Sequence, residues 1–151
     1  MSLFNTKKSD DYIIIVGCGR LGANLANALS DENGNVLIMD TSKDAFRRLS
    51  ADFGGLSIAG NGTDIDTLKN ANIDKARAVI AVTNDDNTNI MVAQLASEMF
   101  HVEKVIARLY DPERESVYQE LGINTICPAT LSVKEVDKIL NTYWKEGTSH
   151  E

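Results

Sequence analysis

The sequence predicts an α/β protein: a doubly wound, parallel, six-stranded sheet with helices on both faces. Three observations predict it. Short β-branched, apolar runs such as Ile13-Ile14-Ile15-Val16 and Val79-Ile80-Ala81-Val82 read as strands buried on both faces, as parallel sheets require. Segments with helical apolar spacing alternate with these runs along the whole chain, which implies right-handed βαβ crossovers. A glycine-rich turn, Gly17-Cys18-Gly19-Arg20-Leu21-Gly22, joins the first strand to the first helix.

The strands are expected at residues 12–16, 35–39, 56–59, 78–82, 104–108 and 125–127. Leu21, Leu25, Ala28 and Leu29 mark the first helix, and Ala45, Phe46 and Leu49 the second. Ile65 and Leu68 sit in a third, shorter one. The clearest stripe is Met91, Val92, Leu95, Ala96 and Met99. Val117, Tyr118 and Leu121 form a fifth, opened by Asp111 as N-cap and Pro112 at the first helical position. A sixth, over residues 132–144, carries Val133, Val136, Ile139, Leu140 and Tyr143.

This pattern uses nearly all of the 151 residues and makes one domain, residues 11–145. Residues 1–10 and 146–151 read as loose ends. The formal net charge of −7, with no basic cluster beyond pairs such as Arg47-Arg48, argues against nucleic acid or an anionic membrane surface as a direct partner. No apolar run approaches the ~20 residues that cross a bilayer, and the first residues lack the apolar core of a secretion signal. The expected location is therefore the cytosol. Cys18 and Cys127 lie far apart without ligand spacing, so no disulfide framework or metal site is indicated. Cys18 reads more simply as a small side chain in a tight turn than as an activated thiolate.

In the Gly17-x-Gly19-x-x-Gly22 turn, the first glycine allows the turn and the second lets the backbone approach a pyrophosphate. The third permits close packing of helix on strand. Free N–H groups and the dipole of the first helix then favour an anion. This is the signature of a Rossmann-type nucleotide site. Arg20 lies in the turn, where its guanidinium either reaches phosphate oxygens or is a solvated surface group. Asp40 ends the second strand. Its carboxylate either accepts hydrogen bonds from ribose hydroxyls and repels a 2′-phosphate, which favours NAD over NADP, or merely caps the next helix. Other strand ends face the same crevice: Gly60-Asn61-Gly62-Thr63, Thr83-Asn84-Asp85-Asp86, and Arg108. Thr83 to Asp86 either cap the next helix or touch ligand. Arg108 either points its charge at the nucleotide or pairs with Asp85 or Asp111. Asn89 hydrogen-bonds loops across the crevice or faces solvent, and stays outside the expected binding set.

In these residues the chain resembles the N-terminal domain of the TrkA family, also called the RCK or KTN domain. The resemblance runs over about residues 11 to 145. It is carried by Ile14 to Gly22, Asp40, Gly60-Asn61-Gly62-Thr63, Leu68, Ala76 to Thr83, Asp85-Asp86-x-x-Asn89, Ile106-Ala107-Arg108 and Leu121-Gly122-Ile123. It implies a cytoplasmic regulatory subunit, peripheral at the cytosolic face of the inner membrane, that assembles on a membrane potassium-translocating protein. It implies binding of NAD(H) or of ATP, ADP or AMP, with contacts from Gly17, Cys18, Gly19, Arg20, Leu21, Asp40, Asn61, Gly62, Thr83, Asn84 and Arg108. It also implies a homodimer or larger homo-oligomer to which the last helix contributes. Two features depart from the family: Asn61 stands where many members have Asp, and the usual C-terminal ligand-binding domain is missing. A separate partner supplying that domain is one expectation, a piece of a longer chain the other. The competing reading is an NAD-dependent oxidoreductase. That chemistry needs an acid/base group near the nicotinamide. The only histidines are His101, poorly placed just after the fourth helix, and His150 in the tail, so no enzyme activity is expected.

Overall fold

The computed structural model describes residues 11–32 and 34–148; residues 1–10 and 149–151 of the two expected loose ends lie outside the described residues. Six strands form one parallel sheet: β1 (Tyr12–Val16), β2 (Asn35–Asp40), β3 (Leu56–Ala59), β4 (Ala78–Ala81), β5 (Lys104–Arg108) and β6 (Asn124–Ile126). Their order is β3-β2-β1-β4-β5-β6. The helices are α1 (Arg20–Asp31), α2 (Ile65–Asn70), α3 (Asp86–Gln94), α4 (Glu115–Glu120) and α5 (Pro128–Thr148). The expected doubly wound architecture is thus observed.

The run Ile13 to Val16 shows why the sheet is covered on both sides. Successive side chains of a strand point to opposite faces. Ile13 and Ile15 pack with Ala23, Ala26 and Leu29 of α1. Ile14 and Val16 pack instead with Leu68 of α2 and with Val92, Ala93 and Ala96 of the α3 region. At ~25 cal/mol per Å² of apolar surface removed from water, these two layers dominate the stability of the sheet.

Three expectations need correction. The second helix is a 3-10 stretch, Lys43–Arg48, not an α-helix. Only Ala45 is buried there, so little apolar surface rewards a longer helix. The α3 stripe is real, but its last turn, Leu95–Met99, is a π-turn. The last helix starts at Pro128, not near residue 132, and continues to Thr148, so residues 146–148 are helical rather than a loose tail. Its residues 131–147 are all exposed, so the apolar stripe does not pack on its own sheet.

Aspartates start three other helical segments. The carboxylates of Asp64, Asp85 and Asp111 accept from the N–H groups of Asp66, Asn87 and Glu113 at 3.0, 2.9 and 3.0 Å. The expected Asp111-Pro112 start is there, but as a 3-10 turn (Pro112–Arg114) leading into α4.

Candidate functional site: a crevice above the glycine turn

The chain runs from β1 outward to β2 and β3, then returns to place β4 on the other side of β1. Connections leave β1 and β4 in opposite directions, and a crevice opens at their carboxyl ends, where ligands of open α/β sheets sit. It has a volume of about 970 Å³. Gly17, Cys18 and Gly19 form its floor, Asp40 one wall, and Thr83, Asn84 and Arg108 the other, with Asn61 and Gly62 between them.

The turn is built by its glycines. Gly17 has φ +112°, and a Cβ there would sit 2.8 Å from the Thr83 nitrogen. A Cβ on Gly22 would lie 1.8 Å from the Gly17 carbonyl oxygen. α1 opens on Gly19 with no side-chain cap, and its first intrahelical bond runs from the Ala23 N–H to the Gly19 carbonyl at 2.9 Å. The N–H groups of Arg20, Leu21 and Gly22 precede that bond and face the end of the helix. No acidic residue occupies this first turn. An anion is the partner such a terminus favours.

Cys18 is held at three points. Its N–H donates to Asp40 Oδ2 at 2.8 Å, its thiol to the Ala45 carbonyl at 3.3 Å, and its carbonyl accepts from Arg48 Nη1 at 3.4 Å. Burial, then the nearby Asp40 charge, push its thiol pKa up. The thiol is thereby kept neutral, in keeping with a packing role. Asp40 also accepts the Ser42 N–H at 2.9 Å through Oδ1. A carboxylate has about four acceptor positions, so room for ribose hydroxyls remains.

Across the crevice, Arg108 takes neither of its two expected roles in simple form. It makes no ion pair with Asp85 or Asp111 among the described residues; its Nη2 donates to the carbonyls of Val82 and Thr83 at 3.0 and 2.9 Å. Its guanidinium lies 5.1 Å from the Tyr110 ring centroid, and its buried Nε has no hydrogen-bond partner. Asn61 turns its side-chain oxygen onto the N–H and hydroxyl of Thr63. Asn84 lines the wall in an exposed position.

Arg20 and Leu21 do not line the crevice. Arg20 is exposed at the start of α1, and Leu21 packs against the α1 face of the core. What they can offer a ligand is their backbone N–H groups, which have no intrahelical partner in the first turn of α1. Sequence reading missed Arg47 and Arg48, which the 3-10 stretch brings to the crevice wall. Arg47 pairs with Asp44 at 3.7 Å on an open surface, where such a pair is worth little. Each acid of the crevice is thus occupied: Asp44 by Arg47, Asp85 by the α3 N-terminus, Asp40 by two N–H groups. Arg48 and Arg108 bond only to carbonyls. In a chain of net charge −7, the crevice keeps two cations without acidic partners among the described residues. No described histidine lines it, and the described residues hold no cluster fit for a metal ion.

The fold and this site define a Rossmann-type domain with an anion-ready crevice at its topological switch point. A family model, the TrkA-N domain, matches residues 13–128. The chain belongs to that family. It is 50% identical over 115 residues to the Trk system potassium uptake protein TrkA of Streptomyces coelicolor, covering 76% of this chain and 52% of that protein. The chain spans about half the length of the curated relatives it matches. The fold is similar to the TrkA-N domain of the inner membrane protein ybaL from Escherichia coli, with a TM-score of 0.76 and 18% identity over 86% of this chain and 96% of that one. It is also similar to the GsuK channel bound to NAD, with a TM-score of 0.73 and 24% identity over 87% of this chain and 23% of that one.

Proposed function

We propose that this domain is a nucleotide-sensing regulatory module of a potassium uptake system or channel. It binds an adenine nucleotide, NAD(H) or one of ATP, ADP and AMP, and gates transport through a conformational change. The observation that carries the reading is the crevice itself: an uncapped helix terminus, two cations that bond only to carbonyls among the described residues, and Asp40. Membership of the TrkA-N family and the fold likeness to part of a channel bound to NAD support it. Such a module works by binding one ligand more tightly in one of two assembled states. The ligand contacts are Gly17, Cys18, Gly19, Asp40, Asn61, Gly62, Thr83, Asn84 and Arg108, joined by the N–H groups of Arg20 and Leu21. The partner is a membrane potassium-translocating subunit, at whose cytosolic face the domain is held; no described helix is long and apolar enough to cross a membrane. The oxidoreductase alternative is disfavoured by the relatives, which are named potassium uptake proteins.

The test is thermal unfolding with each nucleotide at a hundred times its Kd. One of them stabilises the domain by about 2.7 kcal/mol, which is roughly 5–10 °C in Tm at this size. If NAD, NADH, ATP, ADP and AMP all leave Tm unmoved, the reading fails.

We further propose that α5 builds a homodimer or larger assembly. Val133, Val136, Leu140 and Tyr143 share one helical side at 68, 56, 40 and 69% exposure, an apolar stripe that calls for a partner. A second copy of the helix supplies a matching stripe. Light scattering on the purified chain gives at least a dimer, and Val136→Asp with Leu140→Asp gives a monomer of unchanged circular dichroism. A monomeric wild-type chain at tens of micromolar overturns this.

A further inference from the structure

Asn89 has no place in the site described so far, yet it is the one buried polar residue among the described residues, with 0% exposure. Every polar atom of its amide is used. Oδ1 accepts the Thr83 N–H at 2.8 Å and the Thr83 hydroxyl at 2.6 Å. Nδ2 donates to the Thr83 carbonyl at 3.0 Å and to the Arg108 carbonyl at 2.9 Å. The last residue pair between β4 and β5 is Ala81 with Ala107. Beyond it the strands part, and the amide of Asn89 bridges the gap that a further pair would have filled. The Thr83 carbonyl also accepts Arg108 Nη2, so Asn89, Thr83 and Arg108 form a closed ring of hydrogen bonds.

Strand order determines what that ring faces. Asp40 places the adenosine ribose on the β2 side, and the glycine turn at β1 takes the first phosphate. Whatever follows that phosphate is directed to the β4–β5 side, where Arg108 holds a charge without an acidic partner. An adenosine monophosphate ends before it. A diphosphate or a dinucleotide continues into it.

We propose that Asn89 is a positioning residue that fixes Arg108 for the part of the ligand beyond the first phosphate, so that the site prefers adenine nucleotides with two or more phosphates over AMP. The proposal rests on the nucleotide-binding reading above. It assigns the preference to the backbone anchor that Asn89 gives Arg108 and not to the guanidinium alone. A carboxylate at position 89 keeps the shape and the acceptor for Thr83. It removes both donors and brings a negative charge to the guanidinium.

The test measures Kd for ADP, NAD and AMP on the wild-type chain, on Asn89→Asp and on the uncharged Asn89→Ala. The wild type binds ADP or NAD at least tenfold more tightly than AMP. Both variants bind AMP within about threefold of wild type and lose that tenfold preference. A purely structural role for Asn89 would lower Tm and weaken all three nucleotides by one common factor, and that result overturns the proposal. Where neither variant folds, the wild-type chain decides by NMR. ADP shifts the Asn89 side-chain amide signals and AMP leaves them in place; equal shifts with both, or none with either, overturn the proposal. Failure of every nucleotide to bind the wild type is a different result, and it removes the nucleotide reading itself.

Discussion

Gly22→Ala abolishes nucleotide binding and lowers the stability of the domain by at least about 3 kcal/mol, or roughly 10 °C in Tm. The cause is steric. The new methyl would lie 1.8 Å from the Gly17 carbonyl oxygen. That atom belongs to backbone, so no side-chain rotation relieves the overlap; the helix must lift from the strand. Lifting α1 opens the packing of Ala23, Ala26 and Leu29 on Ile15 and Ile38. It also moves the three N–H groups at the start of α1 to which an anion would bind. Gly19→Ala is the control. A Cβ there meets nothing within 4 Å, and φ is −84°, which alanine adopts freely. Gly19 nevertheless lines the crevice. Its alanine variant loses no more than about 4 °C in Tm, the cost of alanine in place of glycine at the N-cap, and loses roughly tenfold in affinity, about 1.4 kcal/mol, as the methyl takes up ligand space. Differential scanning calorimetry and titration calorimetry on the two variants separate the roles. Equal Tm loss in both would show that the turn is merely strained, with no special contact at Gly22.

The contrast between these glycines shows which parts of the site the sequence could disclose. Backbone-determined features were legible: the β1 turn, its lack of a cap, and Asp40 at the end of β2 follow from residue type and spacing. Side-chain direction was not. Arg20 sits in the motif and Arg48 outside it, yet Arg48 reaches the crevice and Arg20 does not. The reason is the 3-10 geometry of Lys43–Arg48, which carries Arg48 back to the Cys18 carbonyl. Nothing in the pair Arg47-Arg48 signals that return. Residue type and position leave Arg108 facing either ligand or an acid; its partners are carbonyls that appear only when β4 and β5 lie side by side. The apolar stripe of α5 was legible as a stripe. Its spacing is the same for a helix on its own sheet and for one awaiting another chain, so only the exposure of residues 131–147 distinguishes the two.

Asp40→Asn costs about 1.5–3 kcal/mol in stability and weakens nucleotide binding by roughly thirtyfold or more. Asp40 now answers two N–H groups, from Cys18 at 2.8 Å and Ser42 at 2.9 Å. An asparagine has one oxygen, so its NH2 must face one of these donors. One charge-assisted bond is lost and two donors are opposed. Either loss loosens the glycine turn from the β2 end. The ribose would then lose its acceptor and its floor together, so the affinity change alone does not say which matters. A cycle with a second ligand does. On the wild-type domain, replacing ADP by its 2′,3′-dideoxy analogue removes the hydroxyls that Asp40 accepts and costs at least tenfold. On Asp40→Asn the same replacement costs less than threefold, because the acceptor is already impaired. The two changes are then coupled by at least about 0.7 kcal/mol, the mark of a direct contact. If the dideoxy ligand costs the same factor on both proteins, Asp40 touches no ribose. Its carboxylate would then serve only to tie Cys18 and Ser42 together, and the sugar would be read elsewhere in the crevice.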